Sequence, residues 1–412
     1  MKVVRNIARA AILAAVAATL LFAACSNSSD GSIPAPVPVL PQTPAPNEPV
    51  DPALTIPLTL EAAVAGATVT FDNKAAGHVT YKVNGGEAQT IASGASKAIT
   101  LDNVGDKVQF FGDNKTYQGS GSSNIACSED CYIYGNIMSL IKSSNFESAT
   151  TLEEKSTFSS LFKNNAHIKN KNGADLLLPA TTITDSCYVW MFYNCTNLIT
   201  APKLPAKTMK AYCYGEMFDG CSSLVTPPEL PATTLAENCY ASMFENCTSL
   251  STAPALPARK MENFCYSRMF MKCSKLTAAP ELLALDLAPY CYINMFSGCE
   301  NLTSVHDLPA TILAAFCYSD MFSYCKKLEK APKLPAPILV EQCYKGMFEG
   351  CSNLSSVTCL ATDISASLCT NYWLNGVSLT GTFTKASSMT AWTPSVDIPI
   401  GWTVVDYTPS QQ

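Results

Sequence analysis

Histidine is nearly absent from this 412-residue chain. The three copies, His78, His167 and His306, lie far apart and in no metal-ligand or triad spacing. Each reads as a surface or loop residue. Basic clusters are lacking too: 27 Lys and Arg stand against 33 Asp and Glu. That balance disfavours nucleic-acid binding. There is no phosphate loop, no dinucleotide fingerprint and no Gly-x-Ser-x-Gly elbow. The acids are scattered over positions that read as solvated faces. Without a catalytic constellation the chain is not expected to be an enzyme, and no cofactor or metal is expected. Long apolar runs are missing as well. Residues 10–24 form a short one, less than a comfortable membrane span.

That short run has a different use. Lys2, Arg5 and Arg9 precede it, and it ends in Leu21-Phe22-Ala23-Ala24-Cys25. A charged start, a short apolar core and small residues at the cut describe a secretory signal peptide. The small pair before Cys25 and the polar stretch after it resemble a bacterial lipobox, although Phe22 stands where Leu is usual. The resemblance implies that residues 1–25 are a lipoprotein leader. Cys25 would become the acylated first residue, and the membrane would be met through that anchor only. The expected location is the cell envelope, at the outer membrane or cell surface. Residues 26–55 are rich in proline and poor in large side chains, as a tether is.

What the chain has in abundance is order. Cys-Tyr-x-x-Met-Phe-x-x-Cys-x-x-Leu occurs seven times at intervals of 26 residues, beginning at Cys187, Cys213, Cys239, Cys265, Cys291, Cys317 and Cys343. Such a period means a solenoid, in which each unit stacks on the next. On a helical wheel the six fixed positions fall within an arc of about 140°. The motif therefore predicts a helix of about ten to twelve residues with the fixed residues buried. Thr182 with Asp185, and Thr234 with Glu237, read as its N-caps. Asn194, Gly220, Asn246, Gly298 and Gly350, each just before a second cysteine, read as left-handed closing residues. A segment such as Leu250 to Ala258, with two prolines, then returns the chain to the next helix. Any parallel sheet there should be narrow, because proline removes a ladder donor.

An imperfect copy starts at Thr157, with Thr157 and Asn165 in place of the cysteines. Another starts at Cys369, with Trp373 and Leu374 in place of Met-Phe. The repeats are thus expected over 157–377, with a β-rich cap and tail over 378–412. Residues 56–125 show alternating strand patterns and an Asn84-Gly85-Gly86 hairpin signal. They predict a small all-β sandwich. Residues 126–156 are expected to join the two, with a helix over 132–141. The fold class expected is an α/β solenoid, leucine-rich-repeat-like, behind a β-sandwich.

Nineteen cysteines in an exported chain suggest a disulfide framework. The helical spacing argues against it, and the cysteines read as reduced core residues in preference to disulfides or metal ligands. Cys127 and Cys131 form a separate pair that could close a tight disulfide.

The repeated string, together with its closing Leu-Pro-Ala, resembles the BspA-like class of bacterial leucine-rich repeats over residues 157–375. The N-terminal sandwich, the segment from Cys127 to Leu140 and the Gly-Thr-Phe-Thr-Lys stretch at Gly381 are also similar to segments that accompany such repeats. The resemblance implies a surface protein that adheres to host matrix proteins or to other cells, and the repeated surface itself is expected to bind a protein or glycan. The alternatives are a carbohydrate-processing or carbohydrate-binding surface protein and a passive spacer. Any partner-binding surface is expected at the polar strand-side positions Thr200, Lys203, Thr226, Glu229, Thr252, Glu281, Asp307, Lys330 and Lys333, where alternation points outward.

Overall fold

The structure is a computed structural model that describes residues 51–392 and 395–409. The leader, Cys25 and residues 26–50 of the expected tether lie outside the described residues, as do 410–412. The last tether residues, Pro52–Thr55, form a 3₁₀ turn. Six strands follow: β1 (Thr59–Ala62), β2 (Ala67–Asp72), β3 (Val79–Val83), β4 (Gln89–Ile91), β5 (Ser96–Leu101) and β6 (Lys107–Gly112). The hairpin signal is met between β3 and β4, where Asn84 and Gly85 take φ of 49° and 70°. Two further strands are β7 (Asn124–Cys127) and β8 (Cys131–Asn136). The helix expected over 132–141 is not formed. Cys131 to Asn136 is instead a strand, paired with β1 and buried at every residue but Tyr132, and only Ile137–Leu140 turns, as a 3₁₀ segment.

These strands make two sheets. One carries β5-β2-β7; the other runs β8-β1-β6-β3-β4. Phe71 of β2 meets Phe110 of β6 with ring centroids 5.1 Å apart, so the sheets pack face to face. β8 also takes two short parallel partners, β9 (Ile168–Asn170) and β10 (Leu176–Leu177). Both belong to the first, imperfect repeat. One continuous core therefore runs from the sheets into the repeats.

The 26-residue repeats are present and stacked, but the α half of the expectation fails. Among the described residues there is no α-helix, and the motif segments are rows of turns. In the copy at Cys187 the amides of Cys187, Val189, Met191, Tyr193 and Cys195 each donate three residues back, as in a β-turn. The intervening amides of Ser186, Tyr188, Trp190, Phe192 and Asn194 donate to carbonyls of the next copy, at Ala211, Cys213, Gly215, Met217 and Asp219. The same five bonds recur from the copy at Thr157 to the copy at Cys343. Every fourth residue is left-handed, as at Ser186, Trp190 and Asn194, with φ of 56–57°.

The physical reason lies in the step angle. At about 90° per residue Cys, Met and Cys fall in one column and Tyr and Phe in a second, which a helical step of about 100° does not achieve. Cys, Tyr and Phe are also weak helix formers. The buried set is nevertheless the expected one. Tyr188 stacks on Tyr214 at 5.7 Å and Phe192 on Phe218 at 5.5 Å, and both columns run the length of the repeats. The closing residues Asn194, Gly220, Asn246, Gly298 and Gly350 are left-handed as expected, with φ between 57° and 75°. Thr182 and Thr234 cap nothing; they form single parallel bridges with Thr151 and Thr208.

The return segments make only isolated bridges, such as Thr200↔Thr226 and Leu256↔Leu282. Where the prolines lapse, at Ser356-Val357-Thr358-Cys359, the bridge widens into β11 (Ser356–Cys359). It pairs in parallel with β12 (Gly381–Lys385), and β12 with β13 (Trp402–Asp406).

Candidate functional site: the repeated polar face

Two columns of side chains stand on the return segments. Thr200, Thr226, Thr252, Ala278, Ser304, Lys330 and Ser356 recur at one position, and Lys203, Glu229, Ala255, Glu281, Asp307 and Lys333 three residues on. The buried Leu204, Leu230, Leu256 and Leu282 beside the second column anchor each segment and turn its neighbour outward. Eight of the nine expected residues are exposed. Ser304, which sequence reasoning missed, is in the same column and exposed; its offset from Ala278 was the available signal.

The ninth, Lys333, is half-buried. Its ammonium donates to the Tyr407 hydroxyl at 2.9 Å and lies 4.7 Å from that ring's centroid. Its amide donates to the Asp307 carboxylate at 2.9 Å. At the other end the Asn170 side-chain oxygen accepts from the Thr200 amide, and its NH2 donates to the Thr200 carbonyl, both at 2.9 Å. Between these tied ends Lys203, Glu229 and Glu281 make no ion pair or side-chain hydrogen bond with described residues. The result is a regular, mixed-sign surface whose charges stay available.

The opposite, turn-row side carries other features. Asp219 is 8% exposed and accepts from Asn246 at 2.9 Å. Burial raises its carboxyl to about 6, and Glu245 and Glu216 add to the shift. Lys163 lies over the rings of Trp190 and Tyr193, at 4.5 and 4.9 Å. His78 and His306 are exposed, and His167 pairs with Asp130 at 3.4 Å.

All 18 cysteines of the described residues are free and buried, Cys127 and Cys131 included. The second cysteine of each copy has a specific partner. Cys221 Sγ donates to the Phe192 carbonyl at 3.0 Å, and Cys247 Sγ to Phe218 at 3.1 Å. That carbonyl already accepts from the Cys195 or Cys221 amide, so the thiol fills its second lone pair. In the imperfect copy Asn165 does the same, donating to the Ile125 carbonyl at 3.0 Å. Burial pushes the Cys213 and Cys265 thiols up to about 12. They stay protonated and poorly nucleophilic at neutral pH. Among the described residues no group of three or more His, Cys, Asp or Glu could hold a metal ion.

No protein family, curated protein or solved structure matches this chain.

Proposed function

We propose that this chain is a surface-anchored lipoprotein that binds a protein or glycan through its repeated polar face. Its repeats are a leucine-rich-repeat-like solenoid of the BspA-like class, with a row of turns in place of each helix. The reading takes Cys25 as the lipid attachment site and the sheets and tether as spacing elements. Its partner is a host matrix protein, a cell-surface protein or a glycan, and it carries out no catalysis. One observation carries the binding role: polar side chains recur at two fixed offsets along the repeats, interrupted at Ala278 and Ala255, outside a dry core, with Lys203, Glu229 and Glu281 unengaged by described residues. Equivalent rungs lie close enough for one extended ligand to meet several, which multiplies weak contacts.

The test is solid-phase binding of the mature chain to matrix proteins and a glycan array. A variant with Lys203→Glu, Glu229→Lys and Glu281→Lys, the three charges free of described partners, should bind at least about tenfold more weakly with an unchanged melt. Undiminished binding would remove the polar face from the account. Metabolic acyl labelling should mark the wild type and not Cys25→Ser; equal labelling would remove the anchor.

A further inference from the structure

The ladder between copies has a last rung. In each copy from Thr157 to Cys343 the alternate amides are taken up by the next copy, ending with Gln342, Tyr344, Gly346, Phe348 and Gly350, which donate to carbonyls of 367–375. The row that receives them has no successor. The equivalent amides of Leu368, Thr370, Tyr372, Leu374 and Gly376 have no acceptor among the described residues, whereas Cys369, Asn371, Trp373 and Asn375 make their turn bonds as usual.

Residues 395–400 pass over this row and make no backbone hydrogen bond to it among the described residues, although the Thr370 hydroxyl donates to the Asp397 carboxylate at 3.1 Å. Trp392 stacks on Trp373 at 5.6 Å, and the Trp373 indole donates to the Asp397 carbonyl at 2.7 Å. These contacts hold 395–400 away from the row and leave a cleft of about 870 Å³ between them. Its rim is apolar: Leu379 is 86% exposed and Ile400 79%, with Tyr372 and Leu368 beside them.

We infer that this cleft is a peptide-binding site, in which an extended segment of a partner protein adds one more rung to the stack. The complementarity decides the occupant. A row of alternate amide donors asks for a row of alternate acceptors, which a polypeptide backbone supplies. An anionic glycan would also accept, but the described residues that line the cleft include no lysine or arginine and do include Asp397. Neutral carbonyls suit it better than sulfates or carboxylates. A second copy of this chain does not fit, because its matching carbonyls at Thr157 and Leu161 are already taken by the amides of Tyr117 and Ile125. The exposed rim residues would take the ligand's apolar side chains. This site is separate from the polar face and stands or falls without it.

The test uses the full mature chain and a displayed random-peptide library, followed by a synthetic copy of the enriched peptide. In the free chain, amide exchange at 368, 370, 372, 374 and 376 should be fast relative to the same positions one copy earlier. Bound peptide should slow those five amides about tenfold or more. Leu379→Arg and Ile400→Arg, both at exposed positions, should each weaken binding about tenfold with an unchanged melt. The proposal is overturned if the five amides are already slow in the free chain or if no peptide is enriched over an unrelated protein. It is equally overturned if binding leaves the five unprotected, or if a sulfated oligosaccharide protects them and the peptide does not.

Discussion

Replacing Arg268 by glycine should stabilise the protein, which is the opposite of what a helix would do. Arg268 is the fourth residue of its copy, exposed, with φ of 54°. Its side chain makes no hydrogen bond or ion pair with described residues, so the substitution acts through the backbone. A left-handed residue with a Cβ costs roughly 1–2 kcal/mol. Glycine removes that cost and returns about 0.5–1 kcal/mol through the entropy of the unfolded chain. The net expectation is about 0.5–1 kcal/mol of added stability. Gly346 already occupies the equivalent position of its own copy, with φ of 58°. In the middle of a helix the same change would cost about 1 kcal/mol relative to alanine. Urea denaturation of wild type, Arg268→Gly and Arg268→Ala decides the matter. The glycine variant should have the highest midpoint and the alanine variant should stay near wild type. A glycine midpoint below both would refute the turn row.

Phe244→Ala should cost roughly 3–5 kcal/mol, because its fully buried ring stacks on Phe218 and Phe270 at 5.8 and 5.6 Å. Glu245→Ala, half-buried on the outer side, should change the urea midpoint little; equal losses would put the phase of the row in error. Alkylation of denatured, unreduced protein should label most cysteines from Cys187 to Cys351, and mass spectrometry finding them paired would overturn the assignment. Asp219 should lower stability as pH rises. Its folded pKa of about 6 lies above the unfolded value near 3.8, so the folded state keeps a proton that the unfolded chain releases across that window. Asp219→Asn should therefore melt later than wild type at pH about 7.5, by ~1–2 kcal/mol after allowance for solvent screening, and together with it near pH 3.5. A gain at both pH values would mean the carboxylate is not the cause.

The period, the buried set and the exposed columns were legible because each follows from identity at a fixed offset. The conformation of the motif was not. Over nine residues, steps of about 90° and 100° sort the side chains into nearly the same buried and exposed groups. Only the residue before the second cysteine announced its left-handed backbone, as Asn or Gly in most copies. The other left-handed positions are held by residues such as Tyr212, Phe264, Arg268 and Asp320, with φ of 54–56°. Their local preference is overridden by five bonds to the next copy, which no short window displays. The strand over 131–136 was hidden for a similar reason: its partners, β1 and β9, lie far off in sequence. On the polar face, exposure could be read from the pattern, but the cover that Tyr407 lays over Lys333 could not, since 74 residues separate them.

The spacing between repeats tests the central claim most directly. Spin labels carried by unnatural amino acids at Asn194 and Tyr324 occupy the same exposed position five copies apart. Along the Phe column beside them, each of the five steps measures 5.5–5.8 Å. Pulsed electron–electron resonance on the mature chain should then give a distance of about 28 Å or less, apart from label length. Rows of packed helices, about 8–10 Å apart, would set the same labels at roughly 40–50 Å. A distance in that longer range would contradict the stacked turn rows and everything built on them.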